Sequence, residues 1–275
     1  MNKTHSVITS TQSRVFNRSL VRGLEILRSF PPDDRGLSNA EISRKTGIPK
    51  PTVSRLTHTL VELGYLSVSD ETGRYQIHPH VLTLGYSVLS RLDIRQVARP
   101  LMQELADFCH GAVALGMRDR LDMVLLERTR SRQGQSLMLD IGSDVDMATS
   151  AIGRAYISGL PSEQRAEILE NMKREDPMRW PRIEPGIERA IEEYQKFGFC
   201  TSAGDWMKEV NGVGVPLFMK DYSLFALNCN GLVSTVSAEM LPELGKRLIE
   251  VARIVEMSQG EVPDRGRSSE RIGPT

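Results

Sequence analysis

The sequence predicts an α+β protein with an N-terminal winged helix-turn-helix domain, a linker helix and a C-terminal domain in which helices flank an antiparallel sheet. Three amphipathic segments and a hairpin pattern occupy residues 15–80, and another amphipathic segment covers 81–93. Strand-like and helical patterns then intermix over 94–257. Residues 1–14 and 258–275 lack such patterns, so they are predicted to form a flexible arm and a disordered tail.

Length and composition are those of an ordinary globular protein. The 275 residues are 40% hydrophobic and 25% charged, which is enough apolar material for a substantial core. A polar N-terminus, no 18-residue apolar run and three widely spaced cysteines favour a cytoplasmic protein without a membrane partner. Although the chain is neutral, residues 1–80 hold 11 Lys and Arg against 7 Asp and Glu, which weakly favours a polyanionic partner.

Apolar spacing and capping residues predict the first two helices. The first starts at Arg18, ends before Pro31 and has an apolar face formed by Leu20, Val21, Leu24 and Leu27. Ser38 and Glu41 have the spacing of a capping box, in which each side chain satisfies an amide group of the other residue. This box predicts the start of the second helix, and Gly47 predicts its end.

The third helix is predicted to start at Pro51, because the first helical position does not need an amide hydrogen, and to end at Gly64. Its inward-facing residues are Val53, Leu56, Leu60 and Leu63. Two extended runs, 65–69 and 74–78, flank a turn at 70–73 that has the residue types of a hairpin loop. Three helices followed by a hairpin form a winged helix.

Four residues match the spacing of the helix-turn-helix pattern. Ser43 is the small residue, Gly47 is the turn glycine four positions later, and Val53 and Leu56 are the apolar anchors of the second helix of the pair. The small residue lets the two helices approach closely, and the anchors leave the outer face of the third helix free to enter a DNA groove.

The outer face of the third helix carries the candidate DNA-contacting residues, which are Lys50, Thr52, Ser54, Arg55, His58 and Thr59. Arg55 is the predicted base reader, because arginine can donate two hydrogen bonds to guanine in the major groove. The first three residues lie at the helix N-terminus, where amide groups favour phosphate. Ser38 and Arg74, the latter on the wing, complete the predicted set. The alternative is that these side chains are merely the solvated face of a helix.

The second domain is predicted to mix helices and strands after a joint at 91–93. Its first helix carries the apolar residues Val97, Leu101, Leu105 and Phe108. Strand-like runs occupy 111–117, 123–128, 137–141, 213–218 and 224–229. Helices are predicted from about Ser150, from about Ser162 and over 185–197. The apolar stripe of a final helix is formed by Leu241, Leu244, Leu248, Val251 and Val255.

Two stretches of the first domain, 20–30 and 36–65, resemble the N-terminal domain of IclR-family bacterial transcription regulators. The second stretch contains the run Ile-Pro-Lys-Pro-Thr-Val-Ser-Arg-Leu and ends with Leu-Gly-Tyr. The second domain resembles the same family at 149–155, where Thr-Ser-Ala-Ile-Gly-Arg-Ala is similar to the family's Ala-x-Gly-Lys/Arg-Ala helix start. Further similar positions are 198–199, 213–216 and 228–231, so that the resemblance covers about residues 15–257.

The resemblance implies a regulator with a GAF-like effector domain, dimeric through its DNA-binding ends and often paired into tetramers. It implies no catalysis, and neither a cofactor nor a metal is expected. Family members sense small organic acids or aromatic metabolites, and the effector positions carried over by motif are Met147, Thr149, Ser150, Ala151, Ile152, Asp205, Val210, Gly212, Asn228 and Asn230.

Three of these positions depart from the residues of some family members. Asn228 and Asn230 stand where paired serines occur, and Gly212 stands where a cysteine occurs. Asparagine both donates and accepts hydrogen bonds, so a carboxylate or a hydroxylated ligand remains compatible. Strand alternation predicts that Asn228 and Asn230 share one face, with Cys229 on the other.

The alternatives to a regulator are an enzyme and an interaction module. An enzyme is disfavoured because no His/Cys cluster has zinc-ligand spacing and no glycine-rich phosphate loop is present. Cys109 and His110 are the closest approach to a nucleophile and base, but neighbours on a helix point about 100° apart. The remaining alternative is an interaction module that has lost DNA binding.

Overall fold

The computed structural model of the protein describes residues 17–31, 36–89, 94–133, 139–221 and 223–258. The chain divides into two compact units, Met1–Arg91 and Leu92–Thr275. The predicted arm, the joint at 91–93 and the predicted tail beyond residue 258 lie outside the described residues.

The first unit has the predicted winged helix-turn-helix architecture. Its elements are α1 (Arg18–Arg28), α2 (Asn39–Thr46), α3 (Lys50–Glu62), β1 (Leu66–Val68), β2 (Tyr75–Ile77) and α4 (Leu82–Leu89). The two strands pair antiparallel to form the wing. Ile26, Ile42 and Val53 are fully buried at the centre of its core, so one residue from each of the three helices fixes their packing.

The apolar face predicted for α1 is only partly buried. Ile26 is fully buried and Leu27 is partly buried, whereas Leu20 is 63% exposed and Leu24 is also exposed. Leu20 and Leu24 of the predicted apolar face are therefore left open to solvent within this unit. Spacing shows that a helix face is apolar, but it does not show whether an element of the same chain covers that face.

α3 begins at Lys50, one residue before the predicted start, and its buried stripe ends differently. Thr57 is buried, whereas the predicted inward residue Leu63 lies at the C-cap and is exposed. The Thr57 hydroxyl donates a hydrogen bond to the carbonyl of Val53 at 3.0 Å. Because its hydroxyl is paired in this way, threonine is tolerated in the core of this unit.

The second unit is an antiparallel sheet of six strands in the order β5-β4-β3-β8-β7-β6, with helices on both faces. Its elements are α5 (Ile94–Cys109), β3 (Ala112–Asp119), β4 (Asp122–Arg130), β5 (Asp144–Asp146), α6 (Ala151–Gly159), α7 (Ser162–Glu175), α8 (Trp180–Phe197), β6 (Cys200–Ala203), β7 (Val210–Phe218), β8 (Leu224–Leu232) and α9 (Leu241–Ser258). The α+β architecture predicted from the sequence is confirmed.

Each face of the sheet has its own hydrophobic core. Leu115, Leu227 and Leu244 belong to the core that α5 and α9 cover. Ile152 and Ile187 belong to the core that α6, α7 and α8 cover. All five residues of the stripe predicted for the final helix are buried, so that part of the prediction is confirmed.

Two segments of the second unit differ from the predicted elements. The described part of 137–141 forms no strand, and the edge strand is Asp144–Asp146 instead. α8 starts at Trp180, five residues before the predicted start at 185. Pro185 lies in the second turn of α8, where its missing amide removes one hydrogen bond near the helix start without ending the helix.

All three cysteines are buried free thiols. The Sγ atoms of Cys109 on α5 and Cys229 on β8 are 3.3 Å apart. Burial raises the pKa of the Cys200 thiol well above its usual value. The Cys200 side chain is therefore protonated at neutral pH, which makes it a poor nucleophile.

Candidate DNA-binding surface and effector cavity

The turn between α2 and α3 sets the direction of α3. Gly47 ends α2 with a φ of 70°, a backbone conformation that glycine adopts without steric cost. The Ser43 hydroxyl donates to the carbonyl of Ile48 at 2.7 Å, and Val53 is fully buried on the inner side of α3. These contacts hold one face of α3 against the core and leave the opposite face to solvent.

The outward face of α3 carries the residues predicted to contact DNA. Thr52 is half-buried, whereas the other five are exposed, namely Lys50, Ser54, Arg55, His58 and Thr59. The Thr59 hydroxyl donates to the carbonyl of Arg55 at 3.0 Å. Among the described residues, Lys50 and Arg55 have no ion-pair partner, so their charges are available to a ligand.

Arg74 has a structural role that the sequence did not indicate. Its guanidinium donates to the carbonyl of Gly36 at 3.1 and 3.2 Å and to the Glu41 carboxylate at 2.6 Å. These bonds tie the wing to the start of α2. Since this guanidinium is held by protein acceptors, we assign Arg74 to positioning the wing and leave its predicted DNA contact out of the proposed interface.

Ser38 and Glu41 form the predicted capping box, which is confirmed. The Ser38 amide donates to the Glu41 carboxylate at 2.8 Å, and the Ser38 hydroxyl donates to the same oxygen at 2.7 Å. The Glu41 amide donates to the Ser38 hydroxyl oxygen at 3.3 Å. The start of α2 and the wing therefore share one carboxylate.

We expect Glu41→Gln to reduce the acid sensitivity of the first unit. Hydrogen bonds from Ser38 and Arg74 lower the pKa of Glu41 from 4.5 to about 2. A carboxyl group whose pKa falls on folding stabilises the fold above its unfolded pKa, and this contribution is lost as the pH falls through its folded pKa. Stability should therefore vary less between pH 4.5 and 2 in the variant than in the wild type.

Denaturant unfolding at a series of pH values would measure this difference. Glu71→Gln, in the exposed turn of the wing, is the matched control and should keep the wild-type pH profile. The same profile for Glu41→Gln and wild type would show that the shared carboxylate contributes nothing to the acid response.

A cavity in the second unit lies beside the sheet face that α6 covers. The space between its lining atoms, taken together with the open solvent at its mouth, is about 430 Å³, of which only a small part is closed off from solvent. The structure brings seven of the ten predicted effector residues together around it, namely Ser150, Ala151, Ile152, Val210, Gly212, Asn228 and Asn230. A concave, largely apolar site with a few polar side chains is typical of a small-molecule pocket.

Close backbone contacts place the start of α6 at this cavity. The Ser150 side chain caps the helix by accepting a hydrogen bond from the Gly153 amide at 3.2 Å. A Cβ atom added at Gly214 on β7 would lie 2.2 Å from the carbonyl oxygen of Ala151. Glycine at that position therefore lets α6 lie directly against the sheet, with its first turn at the cavity wall.

The other three predicted effector residues do not line the cavity. Met147 is fully buried in the core beneath α6. The Thr149 hydroxyl donates to the Asp146 carboxylate at 2.6 Å. The Asp205 carboxylate forms ion pairs with Arg154 at 2.6 Å and with Arg189 at 2.8 Å. These three residues support the site rather than surround it.

Sequence reasoning missed seven of the residues that line the cavity, namely Ala114, Leu125, Arg128, Leu139, Val145, Ser202 and Trp206. Arg128 is the one cation among the described lining residues. Burial lowers the pKa of the Arg128 guanidinium below its usual value. The Ser202 hydroxyl is already paired, because it donates to the carbonyl of Thr149 at 2.7 Å.

The described part of the chain has neither a membrane-spanning helix nor a cluster of metal ligands. No helix there is long and apolar enough to cross a membrane. Over the same residues, no group of three or more His, Cys, Asp and Glu side chains is arranged to hold a metal ion.

Comparisons with known families agree with the two-unit architecture. The family model of the IclR helix-turn-helix domain matches residues 19–70. The model of the bacterial transcriptional regulator IclR C-terminal domain matches residues 86–257. The two matches fall on the winged helix and on the unit that contains the cavity.

Individual proteins give the same result. The chain is 36% identical over 199 residues to the HTH-type transcriptional regulator TsaQ1/TsaQ2 of Comamonas testosteroni, which covers 72% of this chain and 71% of that protein. It is 42% identical to an IclR family transcriptional regulator from Brucella abortus of known crystal structure, with a TM-score of 0.82 over 93% of this chain and 97% of that one.

A more distant crystal structure shares the fold. It is an IclR homolog from Microbacterium hydrocarbonoxydans complexed with 4-hydroxybenzoate, with 19% identity and a TM-score of 0.69 over 88% of this chain and 98% of that one. Together with the two family models, which account for most of the sequence, these similarities confirm the resemblance that the motifs indicated. The chain belongs to the IclR family of bacterial transcriptional regulators.

Proposed function

We propose that this regulator binds an operator through the outward face of α3 and that a small molecule held in the cavity modulates its operator affinity. The exposure of five of the six predicted contact residues on α3 carries the DNA-binding part of the proposal. Arg55 would read a base in the major groove, with His58 and Thr59 beside it. Lys50, Thr52 and Ser54 would bind phosphate at the helix N-terminus. Ser38 is left out of this interface as Arg74 is, because its amide and its hydroxyl both donate to the Glu41 carboxylate.

The proposed effector is a small organic acid or an aromatic metabolite. The cavity that gathers seven of the predicted effector residues supports this part of the proposal. The 4-hydroxybenzoate complex of the homolog from Microbacterium hydrocarbonoxydans is consistent with a ligand of this kind. An effector that binds one arrangement of the protein more tightly than another would shift operator affinity by that difference. The effector would be bound and released unchanged, without catalysis.

The protein would act in the cytoplasm as a homodimer, or as a tetramer of two dimers, formed through the DNA-binding ends. The exposed side chains of Leu20 and Leu24 on α1 support this part of the proposal, because a second copy would cover apolar surface that the first unit leaves open. Residues 15–80 would bind DNA, 81–93 would link the domains, and 94–257 would bind the effector and support oligomer formation.

Footprinting of the purified protein on the DNA that flanks its own gene tests the proposal. A dimer presents two copies of α3, so we expect protection of a short, roughly palindromic segment at concentrations that leave random DNA unprotected. An affinity for the flanking DNA no greater than that for random DNA would reject the function as a sequence-specific regulator.

Arg55→Ala is expected to cost about 1 to 3 kcal/mol of operator affinity and to relax the preference at one base position. Arg55→Lys keeps the charge but loses the two-pronged hydrogen bonding, so it should relax the same position. Fluorescence anisotropy on operators that each carry one base change would measure both effects.

Lys50→Ala is the matched comparison for the Arg55 variants. Because a phosphate contact carries no base information, this variant should weaken binding to all sequences alike and lower the slope of affinity against salt by about 1. Wild-type discrimination by Arg55→Ala at every position would remove Arg55 from the role of base reader.

A further inference from the structure

Arg128 is a buried cation with an unused hydrogen-bonding group. The residue is 9% exposed, and its Nη1 donates to the carbonyl of Leu139. Its Nη2 is buried and has no hydrogen-bond partner among the described residues. The negative charge of Asp140 raises the pKa of Arg128, but Asp140 is an exposed side chain and its carboxylate lies 3.5 Å from Arg130. A buried cation without a close counter-charge lowers stability, so it suits a partner that comes from outside the protein.

Arg154 on α6 shows how this fold satisfies a buried arginine that has a structural role. Its guanidinium donates to the carbonyls of Ala148 and Thr201 and pairs with the Asp205 carboxylate at 2.6 Å. Two buried arginines of the second unit, Arg128 and Arg154, therefore differ in how many of their polar atoms the protein pairs. Arg154 has a close counter-charge and two carbonyl partners, whereas Arg128, which lines the cavity, keeps a buried donor without a partner among the described residues.

A β-bulge in β4 turns Arg128 toward the cavity. The ladder with β3 shifts by one residue between Leu125, which lines the cavity, and Glu127. Regular alternation from Leu125 would place residue 127 at the cavity and residue 128 on the opposite face. Instead, Glu127 pairs with Arg95 of α5 at 2.8 Å, and Arg128 lines the cavity. The bulge therefore places the cationic side chain of Arg128 at the cavity, whereas regular pairing would place the acidic side chain of Glu127 there.

A second unpaired polar group lies in the same row of the sheet. Arg128 is the cross-strand partner of Ala114, and Ala114 is the partner of Asn228 on β8. Two strand spacings separate the backbones of Arg128 and Asn228 by roughly 10 Å. Asn228 is buried, and its side-chain oxygen has no hydrogen-bond partner among the described residues. The small side chain of Ala114 and the apolar side chain of Ile152 lie among the lining residues.

We propose that the cavity binds a small hydroxylated organic anion, whose carboxylate pairs with the Arg128 guanidinium and whose hydroxyl bonds to Asn228. An apolar body, such as one aromatic ring, would span Ala114 between these two groups. A carboxylate accepts strong, charge-assisted hydrogen bonds from a guanidinium. A hydroxyl both donates and accepts, so it satisfies either atom of the amide. This inference rests on the proposed function, and it names the chemical class of the effector and the residue that selects its charge.

Thermal unfolding of the full-length protein with matched acids and amides tests the proposal. The probes are 4-hydroxybenzoate, 3-hydroxybenzoate and 4-hydroxyphenylacetate, each paired with its neutral amide. We expect at least one acid to raise the unfolding midpoint, by roughly 5 to 10 °C at a hundred times its Kd, and its amide to have little effect.

Variants of Arg128 and Asn228 test whether these two residues bind the acid. Arg128→Met should weaken binding of the acid roughly 10- to 100-fold, and Arg128→Lys should restore part of it. Asn228→Leu should reduce the preference for hydroxylated acids over benzoate. Arg118→Met, which removes an exposed arginine on β3, is the control and should bind the acid like wild type.

Stability without ligand gives an independent readout. Removing an unpaired buried charge should leave the midpoint of Arg128→Met unchanged or raised, whereas Arg154→Met should unfold at a lower temperature. A midpoint of Arg128→Met as low as that of Arg154→Met would overturn the proposal, since the guanidinium would then be structural. No stabilisation by any of the acids, equal stabilisation by the amides, or wild-type binding by Arg128→Met would also overturn it.

Footprinting separates this inference from the proposed function. A protein that protects its operator but prefers amides to acids retains the regulatory function and loses the inference. A protein that binds the acids through Arg128 but protects no DNA would retain the inference and lose the proposed regulatory function.

Discussion

Asp205→Asn is expected to lower the free energy of unfolding of the second unit by about 3 kcal/mol, at the lower end of the range for buried pairs because Asp205 is itself 33% exposed. The substitution preserves side-chain size but removes the carboxylate that lies 2.6 Å from Arg154. The Arg154 side chain is only 2% exposed, and its other partners are the carbonyls of Ala148 and Thr201. Its positive charge would therefore remain buried without a counter-charge. Denaturant unfolding followed by the fluorescence of the two tryptophans, both of which lie in this unit, measures the loss.

Two further variants identify the cause of the loss. Asp140→Asn removes the carboxylate of an exposed pair with Arg130 at 3.5 Å, so it should cost less than about 1 kcal/mol. The double variant Arg154→Met with Asp205→Asn removes the buried charge together with its partner and should recover much of the stability. Equally small losses for both aspartate variants would mean that the buried pair is unimportant and would return Asp205 to the candidate effector contacts.

Local stereochemistry was sufficient to predict most of the first unit. Ser38 and Glu41 predicted the start of α2, Gly47 predicted its end, and Pro51 predicted the start of α3 to within one residue. Each of these residues satisfies or removes a particular backbone group, so its effect does not depend on distant parts of the chain.

Packing against distant elements limited the prediction of α5. The sequence predicted a stripe of Val97, Leu101, Leu105 and Phe108. Leu105 is buried as predicted, and Val97 and Leu101 are partly buried, but the fully buried residues include Ala98 and Met102, which lie outside the predicted stripe. Phe108 is exposed and packs under the guanidinium of Arg247 instead. Apolar residues occur on two adjoining sides of α5, so periodicity alone could not determine which side the sheet and α9 would cover.

The residues that line the cavity also could be predicted only in part from the sequence. Family motifs identified the start of α6 and the facing strand positions Gly212 and Asn228, because these positions lie in short segments that resemble the family's, and all of them line the cavity. Arg128 could not be found in this way. Its orientation depends on one unpaired position in the ladder between β3 and β4, and strict alternation along β4 assigns it to the wrong face.

Gly214→Ala is expected to lower the free energy of unfolding of the second unit by about 3 kcal/mol, at the upper end of the range for overpacked sites. An added Cβ atom would lie 2.2 Å from the carbonyl oxygen of Ala151 and 2.9 Å from the Cβ of Ala155. Backbone atoms of α6 cannot rotate away as a side chain can, so the helix would have to move off β7. The same movement would displace Ile152 from the cavity wall, so ligand binding should weaken together with stability.

Gly212→Ala is the matched control, because it lies two residues away on the same strand and also faces α6. Its added Cβ atom would lie 3.2 Å from the Cβ of Asn230 and 3.3 Å from both the Cβ of Ala151 and the backbone carbonyl oxygen of Cys229, so each neighbour needs to move by only a few tenths of an ångström. We expect a loss of less than about 1.5 kcal/mol for this variant, since the added methyl group needs only a slight shift of its neighbours. Tryptophan-detected denaturant unfolding should therefore rank Gly214→Ala well below Gly212→Ala in stability. Similar midpoints for the two variants would show that α6 has room to move and that its close approach to β7 does not fix the cavity wall.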